Sequence, residues 1–282
     1  MSESPVTESK VTESKLQLQS EAFCTAVQFL TRVPIPGGAM SGGMERYQAA
    51  LTRSVIYFPL VGALVAGVTV IAISLLVPFL PIEIAVIVAL AAEAMVTGAF
   101  HEDALADTCD AFGGGWTREQ VLEILKDSRL GTYGTLGLGL GVACRYFSIV
   151  SIADHDWVWT GAAILIASGA IGRWSILWLM HTVSPITDRH TQARDVGGQQ
   201  TGRAIVLSGL VGLPGVVPWL VIDPIGVVLS LVVGAGVIVC YRWQMLRRLG
   251  GSTGDLLGCG CYLVQLAVLV VGAGRCFVEV AT

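Results

Sequence analysis

Charge is what this sequence has least of. Only 13% of its 282 residues are Asp, Glu, Lys or Arg, against 54% hydrophobic ones, and the mean hydropathy is +0.71. Soluble domains typically carry about 25% charged residues, so the composition excludes one or two soluble domains and fits a polytopic membrane protein. Histidine is scarce, with four in the chain, and the seven cysteines form no CxxC pair. Cys259 and Cys261 have a single residue between them, a poor geometry for zinc, so the cysteines read as small buried packing residues. Residues 1–20 are polar, repeat VTESK, and lack the basic start, apolar run and cleavage site of a signal peptide. They are expected to form a disordered cytoplasmic tail, with the membrane domain at 21–282.

What the chain has instead is apolar runs. They lie near Val55–Leu80, Ile82–Phe100, Thr132–Ala153, Trp157–Met180, Ala204–Ile222, Ile225–Tyr241 and Asp255–Gly274. Several approach the lower limit of about 17 residues for a span. The expected fold is therefore all-α: a transmembrane helical bundle of about seven spans, with short cytoplasmic helices carrying an acidic motif. Before the first run, Phe23, Val27 and Leu30 sit at helical spacing and stop at Pro34 and Pro36, which reads as a short interfacial helix. Gly137 and Gly141 form a GxxxG pair suited to close helix contact, within one chain or between two copies of a homo-oligomer.

Seven spans sort the connecting segments into two sets. Residues 1–54, 101–131, 181–203 and 242–254 hold fourteen of the seventeen Lys and Arg, and the short links near Pro81, Asp154 and Asp223 hold none. Arg145 and Arg173 fall inside spans, and Arg275 lies near the C terminus. By the positive-inside rule the N terminus and all the longer polar segments are expected on the cytoplasmic face of the membrane, where three loops can share one site.

Seven of the twenty-one acidic residues fall in HEDALADTCDAFGGGWTREQVLEILKDSRLGTYG, residues 101–134, which follows an apolar run ending at Phe100. If its start is helical, Asp103, Asp107 and Asp110 stand on one face, where like charges repel. A divalent cation relieves that repulsion, and an oxygen-only donor set that includes Glu102 points to Mg²⁺ or Mn²⁺ and away from zinc. A solvated acidic loop is the plainer reading, but carboxylates kept in helical phase at a membrane boundary argue against it. His101 reads equally as a packing residue or a ligand.

Gly113, Gly114 and Gly115 let the chain leave that helix, and Thr117 with Gln120 has the form of a cap for a second short helix. The N–H groups there suit an anion. In KDSRLGTYG, the residues Lys126, Asp127, Ser128 and Arg129 are either ordinary C-terminal helix charge or a phosphate-binding group. Arg194 lies in a Gly- and Arg-rich loop that either marks the cytoplasmic side or holds polyphosphate. Thr253 and Asp255, in GGSTGD, are either a helix cap or site members.

Four segments, FLTRVPIP, HEDALADTCDAFGGG, KDSRLGTYG and GGSTGDLLG, resemble the adenosylcobinamide-GDP ribazoletransferase family, also called cobalamin 5'-phosphate synthase. The resemblance covers about Phe23 to Leu257 in the family's order, and the first acidic motif is specific to it. Family members often have glycine where this chain has Ala104 and Ala111, which leaves every acid in place. The resemblance implies a Mg²⁺-dependent inner-membrane enzyme. It joins adenosylcobinamide-GDP to α-ribazole or its 5'-phosphate and releases GMP, with no nucleic-acid partner and the lipid bilayer as its surroundings. On that reading Glu102, Asp103, Asp107 and Asp110 hold the metal, and Lys126 and Arg129 neutralise phosphate. Asp127 holds a second metal or takes the ribazole hydroxyl proton. Arg32, Gly113, Gly114, Ser128, Arg194, Thr253 and Asp255 complete the substrate site. The alternatives are another metal-dependent membrane transferase, of the CDP-alcohol or aspartate-rich prenyltransferase type, and a transporter. A complete CDP-alcohol pattern is absent, and transporter acids sit nearer mid-membrane.

Overall fold

The computed structural model describes residues 15–35, 43–186 and 198–281, and among these it is helical throughout, with no strand. The helices are α1 (Lys15–Leu30), α2 (Met44–Ser54), α3 (Phe58–Leu76), α4 (Ile82–Thr97), α5 (Phe100–Gly114), α6 (Arg118–Ile124), α7 (Thr132–Asp156), α8 (Ala162–Thr182), α9 (Gly202–Ile222), α10 (Pro224–Leu249) and α11 (Gly254–Ala281). Helix α1 begins at Lys15, inside the segment expected to be disordered; residues 1–14 lie outside the described residues. It is tied to α2 by the Arg46–Glu21 ion pair.

Among the described residues six helices are long and apolar enough to cross a membrane, and α4 with α5 makes a seventh if that pair, bent by 88°, counts as one span. The polytopic helical bundle expected from the sequence is what forms. Its centre is α8, whose apolar window is 83% buried, with α3, α9 and α11 packed around it. Such burial is why α8 is apolar on every side, whereas α9 and α10 leave broad faces of Val, Leu and Ile exposed.

The bend between α4 and α5 is built from two left-handed residues, Gly98 at φ 71 and Ala99 at φ 56. Glycine adopts that conformation freely, whereas a side-chain-bearing residue pays about 1–2 kcal/mol for it. The corner is held from outside by the Arg32 backbone N–H, which donates to Val96 at 2.7 Å.

Beyond the corner, α5 runs antiparallel to the first half of α7. Asp110 meets Gly131 and Gly134, Cys109 meets Gly137, Leu105 meets Gly141, and Glu102 meets Arg145. A Cβ at Gly137 would lie 2.3 Å from the Cys109 sulfur, so the GxxxG pair serves packing within the chain. On its other side α5 meets α11, where Gly258 admits the methyl group of Ala104.

At the opposite end of the bundle, Arg275 donates to both oxygens of Asp223 at 2.8 and 3.1 Å. The one basic residue that broke the charge pattern thus has a local acidic partner. Burial raises the Asp223 carboxyl, but the Arg275 and Gly226 bonds outweigh it and hold the group below its ordinary range. Asp223→Asn is expected to cost about 1.5–3 kcal/mol, the range for a bond to a charged group. Because the folded value is depressed, this stability is present above the usual carboxylate range and is lost as pH falls through the folded value. Thermal unfolding of both proteins in detergent across that range checks it; equal unfolding temperatures at neutral pH would refute it.

Candidate functional site

All four acids of the first motif lie on one helix, α5, and their surroundings divide them. Glu102 accepts from Arg145 at 3.2 Å, and Arg145 also clasps both oxygens of Glu93 at 2.6 and 2.7 Å. Thr69 donates to Glu93 as well, so α3, α4, α5 and α7 meet at this one buried network. Asp110 accepts from the Gly131 and Gly134 backbone at 2.7 and 2.8 Å. It therefore occupies the positive N-terminal end of α7, with its charge matched by the helix dipole. The GTYG segment binds the chain's own carboxylate.

Asp103, Asp107 and Asp255 are left. The negative charges of Asp103, Asp255 and Asp110 all act on Asp107, and Asp103 acts on Asp255. No salt bridge joins Asp103, Asp107 or Asp255 to a basic side chain among the described residues. Nor do three or more His, Cys, Asp or Glu side chains among them close into a ready metal cage. The donor chemistry still suits a hard divalent cation: oxygen ligands, and a local negative charge that no basic side chain among the described residues pairs with.

Three loops do come together around this end of α5. Arg248, in the last turn of α10, donates to the Phe112 and Gly115 carbonyls at 2.5 and 2.7 Å, closing the C terminus of α5. Arg118 returns the arrangement by donating to the Leu249 carbonyl at 3.1 Å. The segment after α8 pairs with the one before α11, through Ile186 N to Ser252 O at 3.1 Å and Ser252 N to Ser184 O at 2.9 Å. Arg248→Ala is expected to cost about 1.5–3 kcal/mol, because two helix-end carbonyls lose a charged donor. Thermal unfolding in detergent reads it, and a shift no larger than that of the exposed Arg247→Ala would refute the capping role.

The other sequence candidates fall as follows. Thr117 and Gln120 form the expected capping box, at 3.3 and 3.2 Å, and α6 begins there. Gly113 packs against the Tyr133 ring, and Gly114 is open. Lys126 and Ser128 are exposed. Arg129 donates to Asp127, with Nη2 at 2.6 Å and Nε at 2.9 and 3.0 Å, and these bonds hold the Asp127 carboxyl below its ordinary range. Asp127 occupies the Nε–Nη2 edge of Arg129, and the Nη1 side of the exposed guanidinium stays open to a phosphate. Thr253 is buried and caps α11, accepting from Leu256 N at 3.4 Å. Arg32 lies against Gly98 at the corner. Arg194 lies outside the described residues.

The sequence reading missed Glu93 and passed over Arg145 as a residue inside a span. The available signal was the rule that ionisable groups within membrane helices keep partners and mark functional regions. His101 proves fully buried, with Nε2 making no hydrogen bond, and Arg173 donates to Gln265 at 2.8 Å nearby in the core.

Fold and site together define a polytopic helical membrane protein whose unbalanced carboxylates collect where its loops join. Residues 22–273 match the model of the family described as cobalamin-5-phosphate synthase. The chain is 35% identical to the adenosylcobinamide-GDP ribazoletransferase of Leptothrix cholodnii, over 88% of this chain and 93% of that one. It is 37% identical to the protein of that name from Rhizobium etli, over 86% and 93%. A protein of the same name from Leptospira interrogans is 41% identical over 59% of this chain and 61% of its own length. No solved structure matches. The chain belongs to the cobalamin-5-phosphate synthase family, ribazoletransferases of cobalamin biosynthesis.

Proposed function

We propose that this chain is a Mg²⁺-dependent inner-membrane enzyme that joins adenosylcobinamide-GDP to α-ribazole or its 5'-phosphate, with the site facing the cytoplasm. The observation that carries the metal reading is the set Asp103, Asp107 and Asp255, three carboxylates that act on one another with no basic partner among the described residues. These three are the groups proposed to hold Mg²⁺. Glu102 and Asp110, already engaged by Arg145 and the α7 N terminus, flank it. The charge distribution among the loops supports the cytoplasmic orientation.

In the reaction a ribose hydroxyl of α-ribazole attacks the pyrophosphate phosphorus on the corrinoid side, and the bond to the second phosphate breaks. GMP leaves with that bond's electrons, and the hydroxyl proton passes to a base. Bound Mg²⁺ supplies charge neutralisation on the pyrophosphate. Arg129 and Lys126, exposed beside the site, are the proposed donors to the phosphates, with Ser128 at the same turn. Opening the Arg129–Asp127 pair frees the Asp127 carboxylate to take the hydroxyl proton. Gly114, exposed at the end of α5, leaves room for substrate there, whereas Gly113 is covered by the Tyr133 ring.

The experiment is GMP release from adenosylcobinamide-GDP and α-ribazole by the purified protein, with Mg²⁺ present and after chelation. Turnover only with the metal is expected, with Mn²⁺ a partial substitute and Ca²⁺ a poor one because of its longer, looser coordination. Undiminished turnover after chelation would end the metal reading; absence of GMP under every condition would end the transferase reading.

A further inference from the structure

A cavity of about 700 Å³ lies between α4 and α7, outside the carboxylate set just described. Its walls are mainly apolar, with the small residues Ala91 and Ala94 on α4 and Gly139 and Ala143 on α7 set among larger ones such as Leu90 and Leu138. It opens on the side of the bundle, where Val142 and Phe147 are 40% and 67% exposed. Its charged groups, Glu102 and Arg145, line it together with Tyr262.

Two single atoms of these residues lack partners, although Arg145 spends its Nη groups on Glu93 and Glu102. Arg145 is 6% exposed and Tyr262 1%, yet Arg145 Nε and Tyr262 Oη are buried with no hydrogen bond in good geometry. Buried donors are almost always satisfied, and an orphaned pair beside a cavity calls for a ligand or water. The ligand must combine an apolar, flat body for the walls with hydrogen-bonding oxygens or nitrogens for these two atoms. It must also reach α5, because Glu102 is on the cavity wall and Asp103 is its neighbour in sequence.

On the reading given under Proposed function, one of the two substrates has this form. α-Ribazole is an apolar bicyclic base on a polar ribose; the corrinoid nucleotide is too large and too highly charged. We propose that the α4–α7 cavity is the seat of the acceptor nucleoside, which enters laterally, base against Ala91, Ala94, Gly139 and Ala143. Its polar atoms meet Arg145 Nε and Tyr262 Oη. The acceptor then approaches the acidic helix from the Glu102 side, and the charged donor from the loop side.

Gly139 offers a clean test, since a Cβ there meets nothing within 4 Å. Gly139→Leu fills the cavity while improving helix propensity, and Tyr262→Phe removes one orphan hydroxyl. Two measurements are made on the purified full chain in detergent: direct calorimetric binding of α-ribazole, and KM for each substrate in the GMP-release assay. Gly139→Leu is expected to weaken α-ribazole binding and raise its KM about tenfold or more, and Tyr262→Phe roughly fivefold, while KM for adenosylcobinamide-GDP moves less than about twofold. Unchanged α-ribazole binding in Gly139→Leu would overturn the proposal. So would a phospholipid that co-purifies with the wild type and is lost from Gly139→Leu without any change in α-ribazole binding, since the cavity is then a lipid seat. A chain that binds α-ribazole in a Gly139-dependent way but releases no GMP would keep this site and lose the transferase reading.

Discussion

Asp107→Asn is expected to lower kcat/KM for GMP release by about 10³-fold or more, equivalent to roughly 4 kcal/mol of transition-state stabilisation. It is expected to do so without weakening the metal-free fold. The two effects have opposite signs because Asp107 sits under the charges of Asp103, Asp255 and Asp110. Folding forces these carboxylates together at an electrostatic cost, and replacing one with a neutral isostere relieves it. A divalent cation reverses the balance. Mg²⁺ should raise the unfolding temperature of the wild type by binding only the folded state, and Asp107→Asn should lose most of that rise. The measurements are initial rates and thermal unfolding with and without Mg²⁺. Near-normal activity would remove the metal site, and a large drop in metal-free stability would show Asp107 to be structural.

The second large effect concerns the charged network under the same helix. Arg145→Met leaves the Glu93 carboxylate, 4% exposed, without the guanidinium that clasps both of its oxygens. Breaking one side of such a buried pair costs roughly 3–5 kcal/mol, chiefly from the stranded charge. The double change Glu93→Gln with Arg145→Met strands no fully buried charge, leaving only the part-exposed Glu102 without its partner, and should recover most of that loss. Thermal unfolding of the two single variants and the double variant forms a cycle. Costs that simply add would mean the pair is not coupled, and that Arg145 matters only through its packing.

The architecture could be read from the sequence to the extent that it depends on local pattern. Apolar runs located the spans, and Thr117 with Gln120 marked the start of α6 because a capping box is written within four residues. The helical phase of Asp103, Asp107 and Asp110 was legible for the same reason. What escaped notice depends on which helices become neighbours. Asp110, read as a metal ligand, also accepts from the Gly131 and Gly134 N–H groups that α7 brings to it. Asp255, read as either a helix cap or a site member, stands with the acidic set because α11 packs along α5. Periodicity carries no information on pairs such as Glu93 and Arg145, which lie on different helices. The corner was hidden as well, since Gly98 and Ala99 interrupt an apolar run without a proline to mark it.

That corner has a consequence for how the protein enters a membrane. A straight helix through α4 and α5 would drag Glu102, Asp103, Asp107 and Asp110 into hydrocarbon, at about 2.5–3.5 kcal/mol for each Asp near a span's centre. Turning by 88° at Gly98 and Ala99 lets α4 insert while the acidic helix waits outside. Its final seat lies between α7 and α11, and α11 is made after both α5 and α7. Until α11 arrives, Ala104 lacks Gly258 and the carboxylates of α5 lack Asp255. The acidic helix is therefore expected to dock late, as a post-insertion step. In chains stalled before Gly254, the Gly113–Trp116 turn should be cut by added protease while α3 and α4 stay protected, and completing the chain should close that turn. Equal protection in stalled and complete chains would mean that α5 takes its place without waiting for α11.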